Sequence, residues 1–302
     1  MLVARNKTSI ICQGVSMRDD RRISWKLHAE RALLLGWGRA VLLQFAHPLV
    51  AAGVAEHTQF ATARYGLQQR LRRTLDAMLV LTFGTPDEAV QVARRINAIH
   101  DSIHGQLPEA AGIFPGRTLY SAHDPALLRW VHATLLDSFL VTYERFIGPL
   151  SDQERDRYCA ESRMMEQLLG LPEGYLPDSR ADLAGYVDHM MQSGVIHVTE
   201  TARILARRIL WPEVTVPLRP LSALIRLSTV GLLPPAVRTA YGLQWTAGHE
   251  TALVWVAGAT RHALPVLPPS LRYWSRARRA WAGVEEDGSL AGATEARTGS
   301  GF

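Results

Sequence analysis

His100 is the residue of this chain whose placement most invites chemistry. It lies in Thr85 to Gly105, TPDEAVQVARRINAIHDSIHG. Thr85 suits an N-cap, Pro86 the first helical position and Glu88 the third position of a capping box, while Gly105 suits a helix end. The spacing therefore predicts one helix over Pro86 to His104. At 3.6 residues per turn Ala89, Val92, Ala93, Ile96 and Ile103 form one apolar stripe, with His100 inside it and His104 at its edge. A neutral imidazole on an apolar face must still engage its ring nitrogens, through a hydrogen bond or a metal. A hydrogen-bonded core histidine is the commoner outcome. HDSIH also resembles a zincin helix, but Asp101 stands where HExxH has its general-base glutamate and no third ligand is identifiable, so zinc hydrolysis is set aside.

Other polar groups interrupt apolar helices: His47 in LQFAHPLV, Glu56 and His57 in VAEHTQF, Arg70 and Thr74 in QQRLRRTL, His132 in WVHATLLDS, and Tyr158 and Glu161 in RYCAES. Burying so many implies a hydrogen-bond network or a cofactor. Arg70 and Thr74, one turn apart on the flank of Leu71, Leu75 and Met78, are expected to face one site, with Arg73 on roughly the opposite side. No pair of E-x-x-H motifs supports a di-iron bundle, and no GxSxG, P-loop or strand-linked GxGxxG is present. A hydrophobic helical pocket with a buried histidine and nearby arginine suits a haem, whose iron takes an axial imidazole and whose propionates take cations.

The elements that must position these groups are helical almost throughout, and the expected fold class is all-α: one multi-helix domain enclosing a haem pocket. Expected helices include Arg39 to Glu56, Leu67 to Phe83, Pro86 to His104, Pro125 to Phe146, Asp152 to Leu169 and Arg180 to Leu210. The 302 residues, 47% hydrophobic, are enough for an extensive core. The domain is expected over 23–282, after a weakly ordered segment 1–22 and before a disordered tail 283–302 rich in Gly, Ser, Thr and charge. Net charge is +5, and arginines 70, 72 and 73, 203, 207 and 208, and 272, 276, 278 and 279 cluster without aromatic interleaving, so nucleic acid is not expected. Cys12 and Cys159 are far apart, and no secretory signal is evident, which gives a cytoplasmic expectation. Ala32 to Ala55, Leu221 to Val237 and Thr251 to Pro269 are apolar but broken by charge or proline. Packed core is their first expected role and peripheral contact with a membrane the second.

The succession LLQFAHPLVAAGVAEH, RLRRTL, VARRINAIHDSIHG, YSAHDPALLRWVHATLLDS, YCAES and GLLPPAVR resembles the catalytic domain shared by MpaB-type oxygenases of mycophenolic acid biosynthesis and latex-clearing rubber oxygenases, over about Trp25 to Trp245. The resemblance implies an all-helical fold holding one haem b, and dioxygen-dependent cleavage of an isoprenoid carbon-carbon double bond to carbonyl products. It places His100 as the proximal iron ligand with His104 as the fallback, and Arg70 and Thr74 beside the haem. Arg73 falls where rubber oxygenases carry a distal lysine, although a guanidinium stays protonated and does not normally ligate iron. Glu56 falls near a pocket glutamate proposed as a base; desolvated among Val54 and Phe60, it would be suited to abstract an allylic proton. His47, His57 and His132 are assigned supporting hydrogen bonds, with core structure as their competing role. The expected partners are dioxygen and a hydrophobic small molecule: an intracellular isoprenoid, polyketide-linked chain or lipid. Two other classes remain: a haem carrier or sensor without turnover, and a cofactor-free helical protein that docks lipid or a partner.

Overall fold

The central element forms where the sequence is most explicit. Asp124 accepts a hydrogen bond from the Ala126 N–H, Pro125 occupies the first turn, and the helix runs Pro125–Phe146 as expected. It is buried on most sides, with Trp130, Ala133, Phe139, Leu140 and Phe146 almost fully covered. Helices Trp37–Phe45, Arg180–Gln192 and Ala247–Ala263 pack around it. This computed structural model describes residues 22–57 and 66–283, with side chains of the second span from residue 72 onward. Nearly all of the proposed terminal segments 1–22 and 283–302, together with Cys12, Phe60 and the side chain of Arg70, lie outside the described residues.

The architecture is all-α, with a single two-stranded antiparallel ribbon among the described residues: His104–Gln106 against Leu119–Ser121, His104 opposite Ser121. Several long expected helices are broken. Arg39 to Glu56 is two helices, Trp37–Phe45 and Pro48–His57, and the chain bends by 104° between them. Pro48 lacks an N–H and disfavours helical backbone at His47. The Ala46 carbonyl at the bend accepts from the His197 N–H at 2.8 Å. Arg180 to Leu210 likewise divides at Gly194, φ 77°, and restarts where Thr199 caps Glu200–Leu210. Asp152–Ser162 and Met164–Leu169 are separate helices, the second closed by left-handed Gly170. No single helix among the described residues is long and apolar enough to cross a membrane.

Buried polar groups tie the layers together. Arg39 donates to Asp137 Oδ2, Ser138 Oγ and the Leu232 carbonyl, each at 2.7 Å, and Arg180 donates to Asp137 Oδ1 at 3.0 Å. His28 bridges Thr82 Oγ1 at 2.8 Å and Tyr158 Oη at 2.7 Å. Burial, reinforced by the Arg22 charge, pushes the His28 pKa down to about 3, so it is a neutral connector. Helices Trp37–Phe45 and Arg219–Leu232 meet so closely at Gly38 that a Cβ there would stand 2.1 Å from Thr229 Oγ1.

Candidate functional site

Helices Gly66–Phe83 and Pro86–Asp101 form a hairpin across Gly84 and Thr85. Its turn is fixed by the expected capping box: Thr85 Oγ1 accepts from the Glu88 N–H, and Glu88 Oε2 accepts from the Thr85 N–H. Counting away from the turn along both helices puts Arg70 level with His100, and Thr74 about one turn nearer the turn. Arg72, Arg73 and Thr74 are exposed, whereas Leu79 and Phe83 face the core.

The second helix ends at Asp101, earlier than expected. Ser102 adopts the C-cap position, and Ile103 leads straight into the ribbon. His104 is therefore an exposed strand residue. The two histidines of HDSIH do not share a helix, so the two-ligand zincin geometry does not form. His100 is half-buried, less than its stripe position implied. Its Nδ1 is buried without a partner, and neither ring nitrogen hydrogen-bonds a described residue. Asn97 Oδ1, one turn earlier on the same helix, is also buried and unpartnered, although its Nδ2 donates to the Leu168 carbonyl at 3.1 Å. The His123 ring packs edge-on to His100, centroids 5.7 Å apart, and is tied to Asp101 Oδ1 at 2.7 Å. Burial first, and the neighbouring His123 second, lower the His100 pKa, leaving a neutral imidazole.

The ribbon carries a second group of residues. Tyr120 is buried against Leu49, Ala52 and Leu127, and its hydroxyl donates to Glu56 Oε2. Burial first, then that hydrogen bond and the Glu56 charge, raise the Tyr120 pKa. Gly105 is required here: a Cβ would lie 2.5 Å from Tyr120 Oη and 2.8 Å from Glu56 Oε2. His57 Nε2 lies 3.0 Å from the His104 carbonyl oxygen, donor to acceptor, and its ring stands edge-on to Tyr120. Glu56 is exposed rather than desolvated. It sits at the end of its helix, where the chain leaves toward Gly66–Phe83, and Phe60, its expected apolar neighbour, lies outside the described residues.

The structure thus gathers Glu56, His57, His104 and Tyr120 at the ribbon, with His100, Asp101 and His123 beside it. His132 belongs to a different contact: its Nε2 lies 3.0 Å from Ser162 Oγ, and burial pushes its pKa down to about 4. His47 Nδ1 accepts from the Leu49 N–H at 3.3 Å, its ring lies against Phe114, and burial lowers its pKa to about 4. Both are core residues in their contacts. Tyr120 and His123 were not singled out from sequence, although both fall within YSAHDP; their relevance emerges only when the ribbon brings them against Glu56 and His100.

An unpartnered, neutral, half-buried imidazole would suit a haem, which needs few protein donors because its macrocycle supplies most of the ligands to iron. Among the described residues no group of three or more ligating side chains is placed to hold a bare metal ion. Residues 25–262, most of the chain, match the family model described as "ER-bound oxygenase mpaB/B'/Rubber oxygenase, catalytic domain". No curated protein and no solved structure shows significant similarity to the chain.

Proposed function

The chain belongs to the mpaB/rubber oxygenase catalytic-domain family, and on that premise we propose that it is a haem b-dependent oxygenase that cleaves a carbon-carbon double bond in an isoprenoid or other hydrophobic chain. The observation that carries this reading is His100, whose buried Nδ1 has no hydrogen-bond partner and which the resemblance suggests as the iron ligand. When bound, the haem iron would supply dioxygen activation; both oxygen atoms enter the two carbonyl products.

The chain's own residues have distinct roles in this reading. His100 would hold the iron through one ring nitrogen. Asn97 Oδ1, one turn earlier on the helix, is an unused acceptor; a hydrogen bond to it from the other ring nitrogen would fix the tautomer and raise the basicity of the ligand. Packing against His123, itself held by Asp101, limits rotation of the His100 ring. Arg70 and Thr74, on the other helix of the hairpin, would supply a cation and a hydroxyl for the propionates. Arg73, in the place of a ligating lysine, would stay protonated and would not donate to iron. Glu56 is the proton acceptor, oriented by the Tyr120 hydroxyl so that its Oε1 remains free.

The test is the absorption spectrum of protein purified from haem-replete cells, beside His100→Ala and His104→Ala. A Soret band abolished by His100→Ala and kept by His104→Ala supports the assignment. Absence of the band in the unaltered protein refutes haem dependence. With a loaded protein, dioxygen uptake on adding isoprenoid alkenes of several lengths separates turnover from haem carriage.

A further inference from the structure

We propose that the connection between helices Glu200–Leu210 and Arg219–Leu232 is a docking surface for an anionic lipid bilayer. Its apolar side chains face water, as does Leu221 at the start of the following helix: Trp211 is 52% exposed, Val216 68%, Leu218 50% and Leu221 52%. Large apolar groups concentrated on one short connection are not accounted for by the incidental exposure of single residues. Pro212, Pro217 and Pro220 stiffen the segment, so little conformational entropy is lost when it inserts. Tryptophan beside aliphatic residues is suited to the interface, where its ring lies among headgroups and its neighbours reach the acyl boundary.

The charges around this segment select the partner. Arg207 and exposed Arg208 close the first helix, and Arg219 opens the second. The Arg226 guanidinium lies 5.6 Å from the centre of the Trp211 ring, which fixes the tryptophan against the second helix. Glu200 pairs with Arg207 at 2.5 Å, and Glu213 is the acidic residue within the segment. Arg208 and Arg219 have no counter-ion among the described residues. A cavity of about 340 Å³ opens beside Trp211, with Arg203 and Arg207 on its wall, large enough for a phosphate headgroup. A second copy docking symmetrically would bring Arg208 and Arg219 close to their equivalents, whereas an anionic bilayer satisfies the cations and the apolar tips together. This inference does not depend on the haem or on the oxygenase reading.

The experiment is co-sedimentation of the full chain with phosphatidylglycerol–phosphatidylcholine vesicles and with pure phosphatidylcholine vesicles. Binding is expected to the mixed vesicles and to weaken several-fold as salt screens the charges. Arg208→Ala and Arg219→Ala should each lower the partition coefficient about fivefold. Trp211→Ser with Leu218→Ser should lower it at least about tenfold, with an unchanged circular dichroism spectrum because both sites are exposed. Arg278→Ala with Arg279→Ala, a basic pair on another helix, should bind as the unaltered protein does. Three outcomes overturn the proposal: no vesicle binding by the unaltered chain, an equal loss on altering Arg278 and Arg279, or a self-associating chain that ignores vesicles and becomes monomeric when Trp211 and Leu218 are replaced.

Discussion

Asp137→Ala should be among the most destabilising single substitutions in the molecule, and the reason lies in what it leaves behind. Arg39 is 5% exposed and Asp137 8%, so both charges are removed from water. Arg39 keeps neutral acceptors in Ser138 and the Leu232 carbonyl, but Asp137 is its anionic partner. Truncation strands a buried guanidinium, at a cost of about 3–5 kcal/mol. That corresponds to a fall in Tm of about 6–20 °C for a domain of this size. Arg39→Met should cost less, because Asp137 remains paired with half-exposed Arg180 at 3.0 Å. Replacing both, as Arg39→Met with Asp137→Ala, removes the stranded charge and should cost clearly less than the sum of the single changes. Urea unfolding of the four proteins measures all of these terms in one cycle. A loss below about 1 kcal/mol for Asp137→Ala, or strict additivity in the double variant, would refute the argument that the buried pair acts as a unit.

Three further expectations follow from named contacts. Gly38→Ala should cost about 1–3 kcal/mol through the clash with Thr229 Oγ1, and Thr229→Ala, which removes a hydroxyl with no hydrogen-bond partner, should recover much of it in thermal melts. His28, His47 and His132 have folded pKa values lowered to about 3, 4 and 4 from 6.5. The unfolded chain therefore takes up protons first, and their contribution, complete above pH 6.5, is lost as pH falls through about 4 and then 3, at up to about 1.4 kcal/mol per pH unit each; urea midpoints independent of pH between 6.5 and 4 would contradict this. Tyr120→Phe should cost only about 0.5–1.5 kcal/mol, since exposed Glu56 can turn to water, yet lower kcat with little change in KM if Glu56 needs that hydroxyl for its orientation.

Local signals were legible wherever one residue type does one physical job. Thr85 with Glu88 marks a boundary that appears with the expected hydrogen bonds, and Ser151 with Glu154, Asp124 with Pro125, and left-handed Gly170 are boundary residues of the same kind. Breaks that depend on tertiary satisfaction were less visible. The bend at His47 is stabilised by an N–H from His197, far along the chain, and the interruption at Gly194 lies within an otherwise helical pattern. The ribbon was missed because strands of three residues are too short to show alternation, and its formation moved His104 off the helix.

That ribbon explains why the candidate site could be read only in pieces. His100 is specified by the helix that carries it, but its neighbour His123 is brought there by the return strand Leu119–Ser121, and Glu56 is oriented by Tyr120 from the same strand. Gly105 admits the Tyr120 hydroxyl where any side chain would collide with it. Gly105 therefore couples the histidine helix to the glutamate helix. Widening Gly105 to valine should disturb both at once: the Tyr120–Glu56 hydrogen bond directly, and the His100–His123 packing through the displaced strand. A haem spectrum altered by Gly105→Val, but unaltered by Tyr120→Phe, would locate that coupling in the strand backbone rather than in the hydroxyl. An unaltered spectrum in a folded Gly105→Val protein would show that the two residue groups are mechanically independent.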